Sequence, residues 1–315
     1  MDYKEKRKLI LETRKAKEKL DMYSASAIFI KSRKIKNLSE NTIASYSQAL
    51  KKFIDFLEEN SIEKIDDIIL EDIQEFIQTR IDGGNSAPTI NKYIRSLRAF
   101  FNFLCRSGYL MENPMEAIDK LAEEKRILRT LSREQVAALL DVPSRSTPAG
   151  YRNYVFLLLI LDTGLRIEEA LSFGVEDVYW QERVVKIFGK GRKERLVPFS
   201  DILAAHMREY LELRGESETS VFFLNIDGQP LKRRTIQDDI SDYGKVARIK
   251  GVRVSCHTLR YTFARNYVLN GGDVVSLMRI MGHKSLHMAQ LYTEMFQADI
   301  SKQHDKFSPV NTIFN

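Results

Sequence analysis

A chain of 315 residues is long enough for two domains with a core in each, and 43% hydrophobic residues mark it as a folded protein. Charged residues make up 29%, no uninterrupted apolar run approaches 18 residues, and the opening "MDYKEKRKLILETRKAKEKL" lacks the apolar segment of a signal peptide. These features argue against a membrane span. The net charge is +6, and the two cysteines, Cys105 and Cys256, lie far apart with no CxxC spacing, which suits a reducing compartment and excludes a disulfide framework.

Residues 1–20 read as a basic, polar extension with too few apolar residues for a core. From Ser24 the pattern is helical. In "LSENTIASYSQALKKFIDFLEEN" (38–60), Ile43, Tyr46, Leu50, Phe53, Ile54 and Leu57 form one apolar stripe behind Ser39, a cap candidate. "ILEDIQEFIQTRI" (69–81) predicts a second helix, ended by Gly83-Gly84. "SAPTINKYIRSLRAFFNFLCRSGYL" (86–110) predicts a third, with Pro88 near its start and Gly108 past its end. Residues 21–113 are therefore expected to form an all-α domain. The charged stretch that follows carries Pro114, and residues 114–129 are assigned to an interdomain linker.

The second domain is expected over 130–315. "TLSREQVAALLDV" (130–142) opens it with the capping pair Ser132 and Gln135, and "NYVFLLLILDTGL" (153–165) predicts a buried helix stopped by Gly164. The β signal is confined to "VYW", "RVVKIFG" and "ERLVPFS", the last two joined as a hairpin through "GKGR" (189–192). Helices are predicted over 201–213, 233–247, 257–270, 273–281 and 286–293. The fold class is mainly α with a small antiparallel β-sheet.

"GKGRKE" lacks the frame of a phosphate-binding loop and the third glycine of a dinucleotide fingerprint. His283 and His287 are four apart, but Lys284 stands where a zinc protease carries glutamate, so no metal site is assigned. Cations do cluster. Residues 183–195 hold six basic side chains and one acid, and Lys232, Arg233 and Arg234 follow. Such clusters favour a polyanion through counterion release, although a solvated surface explains them as well.

Six scattered residues suit phosphate chemistry. Arg166 opens the helix "RIEEAL", Lys190 sits at the hairpin tip, and His257 and Arg260 lie three apart at a helix start. His283 follows Gly282, and Tyr292 comes nine residues later. Each has a plainer reading: Arg166 as the partner of Glu168 or Glu169, Lys190 as a solvated turn, Tyr292 as half-buried core. Together they fit attack of a tyrosine oxygen on a phosphodiester. Two arginines clamp the non-bridging oxygens, histidines donate and move protons, and a lysine protonates the departing alkoxide. A cation-rich site then stabilises the charge developing on phosphorus.

The blocks "TGLRIEEAL", "GKGRKERLVP", "HTLRYTFA" and "MGHKSLHMAQLYT", in that order, resemble those of the tyrosine recombinase family, and residues 24–110 resemble its core-DNA-binding domain. The resemblance covers nearly the whole chain, excepting residues 1–20 and the tail beyond about 300. It implies a helical, SAM-like core-DNA-binding domain followed by an α+β catalytic domain. It implies Tyr292 as the nucleophile, forming a 3′-phosphotyrosyl link and freeing a 5′-hydroxyl. Arg166 and Arg260 would hold the scissile phosphate, His283 would donate a hydrogen bond to it, His257 would assist proton transfer, and Lys190 would be the general acid. Arg192, Lys193 and Arg195, with Lys232, Arg233 and Arg234, would contact DNA. His287 sits where relatives carry a small polar residue and reads as a bystander.

The implied activity is site-specific recombination of double-stranded DNA by a homotetramer, through a Holliday junction, in integration or excision of a mobile element or in resolution of dimers. C-terminal tails would pass between protomers. No ATP, metal or other cofactor is implied, nor any membrane, and the expected place is the bacterial cytoplasm, with the nucleoid. Two other readings share features. A type IB topoisomerase-like enzyme uses the same chemistry without synapsis, but the helical N-terminal domain and "GKGRKERLVP" favour recombination. A catalytically silent DNA-binding relative is disfavoured by the complete set of six residues.

Overall fold

The computed structural model describes residues 20–123, 129–189, 194–282, 304 and 308–314. The chain divides into two compact units, Met1–Lys125 and Arg126–Asn315. No helix among the described residues is long and apolar enough to cross a membrane.

The first unit contains helices α1 (Met22–Ile35), α2 (Glu40–Glu59), α3 (Leu70–Asp82) and α4 (Ala87–Arg106). Local chemistry sets their starts. The Asp21 carboxylate accepts from the Ser24 amide at 2.9 Å, the Ser39 hydroxyl faces the Thr42 amide, and Pro88 occupies the first turn of α4. Each helix has one apolar face, and the faces meet in a cluster of phenylalanines. Phe29, Phe53, Phe76, Phe100 and Phe101 are fully buried; Phe53 meets Phe76 edge-on at 5.1 Å, and Phe29 meets Phe100 at 5.5 Å. Met115 and Ile118, within the span expected as linker, are buried in the same cluster. Asn91 pins the following residues: its side chain donates to the Leu121 carbonyl at 2.9 Å and accepts from the Leu121 amide at 2.8 Å.

The second unit contains α5 (Arg133–Leu140), α6 (Pro148–Thr163), α7 (Ile167–Ser172), strands β1 (Val178–Tyr179), β2 (Val184–Phe188) and β3 (Glu194–Pro198), then α8 (Asp201–Arg214), α9 (Arg233–Val246), α10 (Cys256–Leu269), α11 (Val274–Met281) and α12 (Pro309–Phe314). Helix α6 begins earlier than its apolar run suggests, because Thr147 caps it and Pro148 takes the first position. It is buried on nearly every side and packs against α8 and α10, as a helix that is apolar all round must. Its buried polar residues are satisfied: Arg152 donates to the Asn153 side-chain oxygen at 2.9 and 2.8 Å, Asn153 donates to Asp239 and Tyr243, and the Thr163 hydroxyl donates to the Leu159 carbonyl.

The sheet runs β1-β2-β3, all antiparallel, with Val185 opposite Val197 and Ile187 opposite Arg195. Alternation sends Val185, Ile187 and Val197 into the core and leaves Phe188 and Leu196 outside. Arg195 therefore belongs to the inward face. Pro309 is the first residue of the six-residue helix α12. The predicted helix over 286–293 lies outside the described residues.

Candidate active site

Arg166 is the N-cap of α7, and its carbonyl accepts from the Ala170 amide at 2.9 Å. Glu169 reaches back one turn. Its Oε2 accepts from the Arg166 amide at 2.9 Å and its Oε1 from Arg166 Nη1 at 2.9 Å. The same Nη1 donates to the Met281 carbonyl at 3.2 Å. The Arg166 side chain remains 39% exposed.

Arg260 approaches from α10 and is buried. Its Nη2 donates to the Met281 carbonyl at 2.7 Å and its Nη1 to the Gly164 carbonyl. Gly164 ends α6 in the left-handed conformation at φ 61°, and an added Cβ would lie 2.3 Å from the Phe263 ring. Only glycine fits this position, which fixes one carbonyl that holds Arg260.

The last carbonyls of a helix have no intrahelical partner and carry the negative end of its dipole. At the end of α11 the last two are taken by arginines, Met281 by Arg166 and Arg260 and Ile280 by Arg195 Nε at 2.9 Å, while the Gly282 amide caps the Met278 and Arg279 carbonyls. The other two nitrogens of Arg195 fork onto Glu169, Nη1 to Oε1 at 2.9 Å and Nη2 to Oε2 at 2.8 Å. The Glu169 side chain is only 7% exposed. Burial would raise its pKa, but hydrogen bonds from Arg195 and the Arg166 amide, with both guanidinium charges, outweigh it and hold the carboxyl below its ordinary value.

The structure thus brings Arg166 and Arg260 together, although they are far apart in sequence. His257 sits in the first turn of α10 and is exposed, so it and Arg260 differ in depth despite their three-residue spacing. His283 comes two residues after Met281, the shared acceptor. It lies outside the described residues, as do Lys190, Arg192, Lys193, His287 and Tyr292. The hairpin bearing Lys190 is closed at its described base by the pairing of Phe188 with Glu194. Lys232, Arg233 and Arg234 stand at the start of α9; Arg233 pairs with Glu168 of α7, and Arg234 pairs with Asp238 at 2.8 Å on its own helix. Among the described residues no group of three His, Cys, Asp or Glu side chains could hold a metal ion.

Sequence reasoning missed two members of this cluster. Glu169 entered only as one of two partners for Arg166, and Arg195 as a DNA contact. The Arg195 side chain is 14% exposed with all three nitrogens engaged. Its direction was readable from "ERLVPF", where Arg195 alternates with Val197 and Phe199.

The chain matches the model of the phage integrase family over residues 129–298 and that of the phage integrase N-terminal SAM-like domain over residues 33–108. It is 36% identical over 279 residues to the tyrosine recombinase XerD of Staphylococcus epidermidis, covering 87% of this chain and 94% of that protein. In fold it is similar to the XerH site-specific recombinase bound to a palindromic difH substrate, with a TM-score of 0.72, 20% identity, and coverage of 87% of this chain and 82% of that one. It is also similar to a lambda integrase tetramer bound to a Holliday junction, with a TM-score of 0.69, 18% identity, and coverage of 84% and 78%. With a family model spanning more than half of its length and a recombinase of that family matching it almost end to end, the chain belongs to the tyrosine recombinase (phage integrase) family of site-specific recombinases.

Proposed function

We propose that the chain cuts and rejoins double-stranded DNA at specific sites, with Arg166 and Arg260 holding the scissile phosphate and Tyr292 attacking it. The observation that carries this reading is the convergence of the two arginines on the Met281 carbonyl, two residues before His283. Backbone acceptors and Glu169 hold both guanidinium groups in place before any substrate arrives. Such preorganisation is what charge stabilisation at phosphorus requires.

The tyrosine oxygen bonds to phosphorus as the bond from phosphorus to the 5′-oxygen breaks. Lys190 gives a proton to that departing oxygen, and His257 takes the phenolic proton. His283 donates a hydrogen bond to a non-bridging oxygen. Attack by a 5′-hydroxyl of the partner duplex reverses these steps and frees Tyr292. The phosphodiester is conserved as a phosphotyrosine, so the cycle consumes no ATP. Arg192, Lys193, Lys232, Arg233 and Arg234 contact DNA on this reading. Lys232, Arg233 and Arg234 stand at the start of α9, where the helix dipole is positive, which favours a phosphate there.

Exchange between two duplexes calls for four protomers. The lambda integrase tetramer on a Holliday junction is similar to this chain in fold and supports that arrangement. The exchange serves integration or excision of a mobile element, or the resolution of chromosome or plasmid dimers. The domain assignment that goes with it is a basic extension over 1–20, a core-DNA-binding domain from 21 and a catalytic domain over 130–315, with the span 114–129 expected as linker beginning inside the first unit's core at Met115 and Ile118.

The test is Tyr292→Phe, which removes only the attacking oxygen. DNA binding in a gel shift is expected to match the wild type, and no protein-linked DNA is expected on a denaturing gel. A covalent complex formed by this variant would exclude Tyr292 as the nucleophile.

A further inference from the structure

We propose that Arg195 is a positioning residue for Arg166, acting through Glu169 and the end of α11, and not a contact to the DNA backbone. The proposal rests on the recombinase reading of the site.

Strand geometry turns Arg195 inward. It stands opposite Ile187 and shares a face with Val185 and Val197, all three of them buried. Each oxygen of Glu169 accepts one hydrogen bond from Arg195 and one from Arg166: Oε1 from the two Nη1 atoms, Oε2 from Arg195 Nη2 and the Arg166 amide. The third nitrogen of Arg195 is spent on the Ile280 carbonyl. All three nitrogens of Arg195 are engaged within the protein, and its side chain is 14% exposed. Here the fork is closed on a carboxylate.

The charges explain what this achieves. Arg166 and Glu169 alone would make a neutral pair, in which the carboxylate competes with phosphate for the same guanidinium. With Arg195 added, two cations share one anion, and the group keeps a net charge of about +1. Arg195 balances Glu169 bidentately, so Glu169 can hold the Arg166 backbone and side chain without consuming the charge that phosphate needs. Packing at the end of α11 agrees. A Cβ on Gly282, itself at φ +64°, would lie 3.0 Å from the Arg195 guanidinium carbon and from Nη1. The Arg195 head therefore lies flat against the turn that leads out of α11.

The experiment uses the full chain and a single recombination-site duplex, with Arg195→Ala, Glu169→Gln and the double variant compared per folded molecule. For Arg195→Ala, affinity within about twofold of wild type and an unchanged salt dependence are expected, since no phosphate contact is lost. Single-turnover formation of the covalent complex at saturating DNA is expected to slow roughly a hundredfold, the scale of a misplaced catalytic group. Adding Glu169→Gln removes the competing charge and keeps an acceptor for the Arg166 amide, so it should recover about tenfold of that loss. A merely structural role gives no such recovery once unfolded protein is corrected for.

Normal cleavage at saturation, with the slope of log affinity against log salt reduced by about one, would return Arg195 to the DNA backbone and overturn the proposal. Equal loss in the single and double variants would overturn it too. If Arg195→Ala does not fold, Arg195→Lys with and without Glu169→Gln carries the same comparison, because one ammonium cannot span both carboxylate oxygens and Ile280. A wild-type chain that forms no covalent complex overturns the recombinase reading itself.

Discussion

Glu169 carries its charge in a nearly closed environment, with a side chain 7% exposed and four hydrogen bonds from two arginines. Its carboxyl is depressed below the ordinary value in the fold. The stability it contributes is therefore fully present above the unfolded pKa and is lost as the pH falls through the folded one. Glu169→Gln is expected to cost roughly 3 kcal/mol at neutral pH, because it leaves two guanidinium groups without their counterion. The gap from wild type should narrow on acidification, when the wild-type carboxyl is protonated as well. Denaturant unfolding from pH 7 downward checks this; a gap that stays constant would mean the charge itself adds nothing. At this scale the site was only partly legible. Arg166 and Arg260 stood out by residue type. The acid of "RIEEAL" looks like any exposed helix residue until the fold buries it, and the Met281 carbonyl has no side-chain signature at all.

The elements were easier to read, because their ends are set by chemistry close in sequence. Ser39, Ser132 and Ser200 each cap the helix that follows, and Gly164 takes the left-handed turn that ends α6. Strand alternation also carried the direction of Arg195, but the dense charge of "GKGRKER" pointed to an outside contact. What could not be read is how the end of α6, the start of α10 and the end of α11 come together, since that depends on packing across the second unit. Gly164→Ala tests this junction. The left-handed conformation costs roughly 1–2 kcal/mol for any residue with a Cβ, and contact with the Phe263 ring adds to it. The expected result is a lower melting temperature together with slower cleavage, because the Gly164 carbonyl holds Arg260. Adding Phe263→Leu, which removes the edge that the new methyl meets, should recover part of both losses. If the double variant melts lower still and gains no activity, the contact at this junction is not what limits it.

At the scale of the whole molecule, the test of assembly falls on the segment after Tyr292. Met295, Phe296 and Ile300 give it a short apolar face in sequence, and α12 adds another, with Val310 60% and Ile313 73% exposed at a spacing of three. A six-residue helix with apolar side chains left in solvent has no core of its own and gains by docking in a groove. The groove belongs either to its own catalytic domain or to the next protomer of a tetramer. Passing the tail onward would tie the position of Tyr292 to a neighbour, so that an isolated protomer on one site cleaves poorly. Truncation after about Gln297 separates the two cases. If tails are exchanged, the shortened chain keeps single-site affinity, because the residues proposed to contact DNA all precede the cut, but it neither synapses nor recombines two sites. Mixed with intact chain, it should be active only where a neighbour supplies a tail, so recombination should fall more steeply than the fraction of shortened chain. Gel-shift affinity for one site and recombination between two sites, measured on both chains and their mixtures, decide the matter. Normal recombination by the shortened chain would rule the exchange out, and parallel loss of single-site binding would make the tail a brace for its own domain.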